Sequence, residues 1–168
     1  DIYVLEHDAH RVKKFSSDGS GGVVVAGGNG FGSELSQLNN ARGFFIDTAG
    51  NIYIADTENH RIQKWTPGAI AGVTVAGGNG QGGDSNQLGN PKGVTVDAQG
   101  NIYVADEAYG RIQKWAPEAI QGKTVIQDLN YTTDLFLDVN GNLYVLEANE
   151  HVVKKYLPKS TFGSIVAG

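Results

Sequence analysis

Histidine recurs at one position of this chain, each time ahead of a similar short run, as His10, His60 and His151. Imidazole nitrogens are common zinc ligands, and three of them with one open coordination position would form a catalytic metal centre. That chemistry requires the fold to bring the three side chains together, and the third copy of the motif carries Gly110 instead. We therefore predict a structural turn position, and no metal is expected.

Carboxylates recur with the same regularity, and an arginine follows shortly after each of two of them. The predicted pairs are Asp56 with Arg61 and Asp106 with Arg111. Acid–base catalysis by two carboxylates requires environments that separate their pKa values. Repeated copies place their carboxylates in the same environment, which does not separate the pKa values. We therefore interpret these residues as structural ion pairs. Glu147 is expected to lack such a partner, because Val152 stands where the arginine would be.

A glycine-rich connection at residues 78–83 satisfies the G-x-G-x-x-G pattern of dinucleotide-binding loops. Phosphate binding of that kind also needs a helix N-terminus behind the loop, and residues 84–91 show no amphipathic helix. No G-x-S-x-G motif or other nucleophile–base signature occurs. The sequence therefore predicts no catalytic residue and no cofactor.

The elements that carry these residues follow from an internal repeat. The segment NIYIADTENHRIQKW begins at Asn51, and similar segments begin at Asn101, at Asn142 and at Asp1. A period near fifty residues, made of short β-branched and aromatic runs, is typical of propeller blades. No stretch has apolar residues at helical spacing over three turns, which excludes a helical solenoid.

Each period contains four predicted strands. In one copy they cover residues 52–54, 61–65, 73–76 and 93–96, which are rich in β-branched and aromatic residues. Tight turns such as residues 97–101 supply an Asp and a Gly between strands. The predicted fold is all-β: a β-propeller segment of four-stranded antiparallel blades.

The same residues resemble a known family. Residues 91–97 (PKGVTVD) and 100–106 (GNIYVAD), together with residues 59–64 (NHRIQK), look like the NHL repeat. The resemblance covers essentially the whole chain. It implies a propeller, commonly six-bladed in this family, that serves most often as a binding platform. It extends to a propeller lyase with a central metal, so a metal-dependent lyase or lactonase is an alternative. The fold alone names no ligand.

The copies predict one propeller segment with blades at residues 1–27, 43–77, 93–127 and 134–168. The first blade lacks its innermost strand, so about 3.75 blades of a ring of about six are expected. Three completions are open. A longer polypeptide closes the ring, which is the preferred reading; a neighbouring chain supplies the missing strand; or four blades close by themselves.

Composition narrows the partners. The chain has 13 basic and 18 acidic residues and a net charge of −5, whereas a nucleic-acid platform needs a basic surface. No nucleic-acid partner is therefore expected. Cysteine is absent, which excludes disulfides and thiolate metal sites. No membrane span or signal peptide is recognisable in these residues.

Departures from the repeat point to binding. Phe31 and Tyr109 have no aromatic counterpart in the neighbouring copies and fall on predicted loops, where a ring can anchor a protein or stack on a sugar. Asn130 begins the only N-glycosylation triplet, in a connection about nine residues shorter than its counterparts. These features predict a protein or carbohydrate ligand and a secreted, extracellular glycoprotein.

The sequence therefore predicts a non-enzymatic binding or scaffold module. Two other functions stay open. One is the propeller enzyme named above, and the other is a structural subunit of an extracellular assembly or fibre joined by strand complementation.

Overall fold

The computed structural model describes residues 1–168, which form fifteen β-strands in four sheets. Blade 1 has three strands, β1 (Ile2–Glu6), β2 (Arg11–Phe15) and β3 (Val23–Gly27). Blade 2 contains β4 (Phe44–Ile46), β5 (Ile52–Asp56), β6 (Arg61–Trp65) and β7 (Val73–Gly77). Blade 3 contains β8 (Pro91–Val96), β9 (Ile102–Asp106), β10 (Arg111–Trp115) and β11 (Lys123–Ile126). Blade 4 contains β12 (Thr132–Leu137), β13 (Leu143–Glu147), β14 (Val152–Tyr156) and β15 (Gly163–Ala167).

Each sheet is an antiparallel meander whose strands pair in chain order. The first strands of neighbouring blades lie side by side, because β8 contacts both β4 and β12. The last strands, β7, β11 and β15, therefore form outer edges. Consecutive four-stranded blades of this kind are a β-propeller, so the predicted fold class is confirmed.

Two inner strands begin earlier than the sequence predicted. β8 starts at Pro91 and β12 at Thr132, each two residues before the expected blade boundary. The pairing register of both strands shifts close to this start, between Pro91 and Val94 and between Thr132 and Asp134. In each of these strands an irregular first residue pair thus extends the pairing with the neighbouring strand beyond the regularly paired residues.

The connections lie at two ends of the blades. At the "turn end", short 3-10 turns join β1 to β2, β5 to β6 and β9 to β10, at His7–Ala9, Thr57–Asn59 and Glu107–Tyr109. Because the second and fourth strands run in the same direction, the loops to the next blade leave from this end too. The opposite "hairpin end" carries the remaining turns. These three-residue turns are the only helical segments, and none has the length or apolarity to cross a membrane.

An aspartate organises the hairpin between the first two strands of blades 2 to 4. Oδ1 of Asp138 accepts from the backbone N–H groups of Asn140 and Asn142 at 2.9 Å each, and Oδ2 accepts from Asn142 Nδ2 at 2.8 Å. Asp47 and Asp97 make the same contacts in their own blades. The side-chain hydrogen bond from Asn142 lowers the pKa of Asp138.

The apolar cores lie between blades. β5 is buried at every residue, because its two faces pack against blade 1 and blade 3. Trp65 closes the core shared with blade 1, and Trp115 closes the core shared with blade 2. One aromatic residue at the end of each third strand therefore stacks its blade on the preceding one.

Close approach of the inner strands depends on Gly93. A Cβ atom there would lie 2.8 Å from Leu135 Cδ2 and 3.0 Å from Asp134 Cα. Real side chains do not tolerate both contacts, so glycine is required where β8 passes β12.

Candidate functional site

The repeated histidine is a backbone position. His10, His60 and Gly110 each end a 3-10 turn in the left-handed conformation, with φ values of 50°, 52° and 55°. Their backbone N–H groups donate to the carbonyl of the first turn residue at 3.1 Å. His151 has φ of 56° and donates to Ala148 O at 3.3 Å. A left-handed residue is thus what the turn requires, and glycine satisfies it equally.

The imidazole rings do not converge. His10, His60 and His151 end turns of three different blades, and no group of three or more His, Asp or Glu side chains could hold a metal ion. Nδ1 of His60 contacts Gly89 O of the following inter-blade loop. Nδ1 of His10 is buried without a hydrogen-bond partner. The His60 ring therefore contacts the backbone of the adjacent inter-blade loop.

The Asp–Arg pairs have the predicted partners. Arg61 Nε lies 2.7 Å from Asp56 Oδ2, and Arg111 Nε lies 2.9 Å from Asp106 Oδ2. All four side chains are buried. Burial raises the pKa of Asp56 and of Asp106 above the usual carboxyl value, against the opposing effect of hydrogen bonds and of the adjacent guanidinium.

These pairs hold the loop that enters their blade, a role that the sequence did not reveal. Oδ1 of Asp106 accepts from the backbone N–H groups of Gly89 and Asn90, at 2.8 and 3.0 Å. Arg111 donates to the carbonyls of Gly83 at 2.6 Å and Gln87 at 3.0 Å. The carboxylate thus fixes the end of the loop, and the guanidinium fixes its middle.

Blade 2 repeats this arrangement. Asp56 Oδ1 accepts from Asn39 N at 2.7 Å, and Arg61 Nη2 donates to Glu34 O at 3.0 Å and Gln37 O at 3.3 Å. The side chains of both pairs therefore satisfy backbone N–H and carbonyl groups of the irregular inter-blade loops.

In blade 4 a lysine pairs with the carboxylate where the other blades have an arginine. Lys154 Nζ lies 3.0 Å from Glu147 Oε1. The contact is an ion pair without hydrogen-bond geometry. Glu147 Oε2 still accepts from the backbone N–H of Asn130 at 3.0 Å. Lys154, two residues after Val152, therefore takes the place of the arginine. The signal in the sequence is that a lysine stands at this repeat position, where blade 2 has the uncharged Gln63.

The two candidate binding aromatics lie at the turn end. Phe31 is 66% exposed in the loop between blades 1 and 2, and its ring packs edge-on against His10 at 5.5 Å. Tyr109 ends the 3-10 turn of blade 3 and is 40% exposed. The Arg111 guanidinium lies 5.3 Å from the centre of the Tyr109 ring. Both rings are held in place and partly accessible.

Asn130 is exposed in the short loop between blades 3 and 4. Its Oδ1 accepts from Asn149 Nδ2 at 3.2 Å. Thr132, the third residue of the triplet, is the first residue of β12 and is buried, with an Oγ1 atom that has no hydrogen-bond partner. The structure brings this triplet close to Glu147, well apart in sequence.

Comparison with known families identifies the repeat. Residues 38–65 and 88–115, which cover most of the second and third copies of the motif, match the NHL repeat. The chain contains NHL repeats. The predicted resemblance is thereby confirmed. No curated protein matches the chain significantly in sequence.

Solved structures place these NHL repeats among β-propellers. A streptogramin B lyase structure is 14% identical with a TM-score of 0.62, over 97% of this chain and 49% of that chain. A chain of a nidogen/laminin complex is 20% identical with a TM-score of 0.78, over 99% of this chain and 59% of that chain. The NHL-repeat chain spans about half the length of the first and less than two thirds of the second. At these identities the likeness concerns the fold.

Proposed function

We propose that this NHL-repeat propeller is a non-enzymatic protein-binding module that contacts its partner with the turn end of its blades. The observation that carries the proposal is the exposure of Phe31 and Tyr109 on connections that are otherwise tightly hydrogen-bonded. The nidogen/laminin complex, a propeller-containing neighbour in an assembly with a second protein, supports this class of function. Aromatic residues, Tyr and Phe among them, are enriched in the cores of protein interfaces.

Both rings are preorganised. Phe31 pairs by a β-bridge with the buried Leu38, which fixes its backbone. The Tyr109 ring lies against Gly83 and Gly89 of the preceding loop, where any side chain would displace it. A ring that is already ordered loses little conformational freedom on binding, so its contact area contributes more to affinity.

Capture of partners by surface variants tests the proposal. The double variant Phe31→Ala/Tyr109→Ala removes the turn-end anchors. Its matched control, Ile70→Ser/Ile120→Ser, removes side chains that are 92% and 86% exposed at the hairpin end. Proteins crosslinked to the parent in the native fluid or lysate, quantified by mass spectrometry, should be lost with the first variant and retained with the second. Equal recovery with both variants would refute a turn-end interface, and a glycan-array signal lost with the same rings would identify a carbohydrate ligand instead.

We also propose an extracellular location, which rests on the Asn130 triplet and on the nidogen-like neighbour. Glycosylation is tested by the mass shift of the peptide containing Asn130 after enzymatic removal of N-glycans. Thr132→Val is the suitable control, because it destroys the triplet while Oγ1 has no hydrogen bond to lose. An unmodified Asn130 in protein from the native source would remove this support.

The enzyme alternative is distinguished by metal analysis of protein purified without chelators. A stoichiometric metal, lost together with a hydrolytic or lyase activity, would replace the proposed binding function. The proposal expects none.

A further inference from the structure

A groove of about 730 Å³ runs between blades 2 and 3. All five residues of β7, Val73–Gly77, form one wall. The turn at residues 116–120 of blade 3 forms the other, and the rings of Tyr53 and Trp115 line the groove between them. The volume falls within the range of ligand-binding clefts, and most of the lining that faces it is apolar.

The wall formed by β7 is an unpaired strand edge. β7 is the last strand of its sheet and pairs only with β6. The backbone N–H and C=O groups on the free side of such a strand are a template for a further strand. Five residues at about 3.3 Å each give an edge of about 17 Å.

β7 lacks the lysine that protects the equivalent strand of blade 3. Val73, which pairs with Lys64, stands at the position of Lys123, which pairs with Lys114. A lysine on an edge strand discourages pairing with another chain. β7 has no charged residue, and Val73 is 64% exposed. The edge that lines the groove is therefore open to strand addition.

Lys64 is the only cationic residue that lines the groove. Its Nζ lies 5.4 Å from the centre of the Tyr53 ring, and no carboxylate lies within 4.0 Å of that Nζ. Its counterparts Lys14 and Lys114 do have carboxylate partners, Asp1 and Asp97. The only acidic residue in the lining is Glu118, on the exposed outer turn. An acidic ligand side chain would find its partner in Lys64.

We propose that this groove binds an extended peptide segment of a partner protein, which adds a strand to β7. The segment has aliphatic side chains at alternate positions, because successive residues of a strand point to opposite faces and one face meets the apolar groove. It also has an acidic residue beside Lys64. The inference rests on the proposed binding function for its class of ligand, a polypeptide. Its surface is separate, since neither Phe31 nor Tyr109 lines the groove.

Selection from a phage-displayed library of random peptides of about eight residues, long enough to span β7 at about 3.3 Å per residue, tests the proposal. The folded chain is the immobilised target. Enriched peptides should alternate aliphatic residues and carry an acidic residue. Their affinities are then measured by fluorescence anisotropy against two variants. Val73→Lys copies the natural residue of blade 3, and Val23→Lys makes the same change on β3, where the valine is equally exposed at 64%.

The expected result is a loss of at least about tenfold in affinity, equivalent to about 1.4 kcal/mol, with Val73→Lys and no change with Val23→Lys. Lys64→Met should weaken acidic peptides and spare their amide analogues. A peptide N-methylated at alternate amides should fail to bind, because strand addition uses main-chain hydrogen bonds.

Absence of enriched peptides, equal binding by the two valine variants, or full binding of the N-methylated peptide would each overturn the proposal. The Phe31→Ala/Tyr109→Ala variant separates the two hypotheses. If that variant loses the peptides while Val73→Lys keeps them, the turn end is the peptide site. The groove inference then fails and the proposed function stands.

Discussion

The loops that enter blades 2 and 3 differ from the loop that enters blade 4. The first two, residues 28–43 and 78–90, are long, and each is held by a buried Asp–Arg pair. The third, residues 127–131, is short and meets a Glu–Lys pair. In all three the carboxylate accepts the backbone N–H of the residue that follows a buried leucine. Among blades 2 to 4 the carboxylate is therefore present whatever the length of the entering loop, whereas the arginine is present only where that loop is long.

The same comparison explains why glycine replaces histidine once. The short loop passes directly against Gly110, whose carbonyl accepts from Leu129 N at 2.9 Å. A Cβ atom on Gly110 would lie 2.6 Å from Leu129 O. His60 instead faces a long loop, with its ring against Gly89 O. The length of the inter-blade loop thus correlates with the residue types on both sides of the connection, and the repeated polar cluster holds these loops.

The largest expected effect comes from Arg111→Met, which breaks the long-loop arrangement. The variant leaves Asp106 buried without a charge partner, and we expect a loss of about 3–5 kcal/mol in unfolding free energy at pH 7. Urea unfolding measures it. Burial already raises the pKa of Asp106. A raised carboxyl pKa contributes stability that is present below the unfolded value and lost as pH rises through the folded value. The loss in the variant should therefore be smaller at pH 4.

Val152→Arg in blade 4 is the reciprocal of that variant. The short loop offers the new guanidinium no row of carbonyls, so no stabilisation is expected. A gain above about 1 kcal/mol, the usual size of a net hydrogen-bond contribution, would contradict the assignment of the arginine to long loops.

Gly110→Ala should have the second-largest effect. We expect a loss of about 2 kcal/mol, because alanine at positive φ is strained and its Cβ meets a backbone carbonyl that cannot move aside. His60→Gly, at the equivalent position beside a long loop, keeps the conformation without strain and is the control. Thermal unfolding of both variants measures the difference. Equal shifts of the midpoint temperature would contradict the link between Gly110 and the short loop.

Lys154→Met tests the blade 4 pair and should cost less, about 1 kcal/mol, since the lysine is partly exposed and water screens it. The hydrogen bond to Glu150 and the nearby charge of Glu147 raise the pKa of Lys154. Its contribution is therefore present below the unfolded lysine value and disappears as pH rises through the folded value. The stabilities of parent and variant should converge in strongly alkaline solution. Lys13→Met in blade 1, where Arg11 also pairs with Glu6, should change stability less.

The smallest effect is expected for Asp138→Asn, in a hairpin that both kinds of blade share. The pKa of Asp138 is lowered by the hydrogen bond from Asn142. Such a carboxylate contributes stability above the unfolded pKa, and the contribution is lost as pH falls through the folded pKa. Parent and variant should therefore differ at pH 7 and coincide near pH 2. A difference that persists in acid would show that charge is not involved.

Much of the architecture was predictable because it repeats. Short runs of β-branched and aromatic residues such as Ile52–Asp56 specify the strands, and the turns with Asp, Gly and Asn specify the hairpins. Because the motif recurs four times, the prediction for one blade applied to all four. The Asp–Arg pairing was also predictable, since residues five apart across a tight turn meet on adjacent strands.

The loop contacts were not predictable. Nothing in the sequence near Arg111 names Gly83 or Gln87 as partners, because the guanidinium binds carbonyls, which every residue has. The pairing of Lys154 with Glu147 was not predictable from the repeat alone, because Val152 occupies the arginine position. A lysine two residues further along the strand nevertheless lies on the same face of the sheet.

Short-range rules thus suffice for the strands and their turns, because each depends on residues close in sequence and recurs in every copy. The groove beside β7, the exposure of Phe31 and Tyr109, and the burial of the carboxylates depend on how neighbouring blades meet. The spacing between neighbouring blades is set by the packing of Trp65, Trp115 and the inter-blade loops. These contacts join segments that are far apart in the chain, so no single stretch of the sequence predicts them.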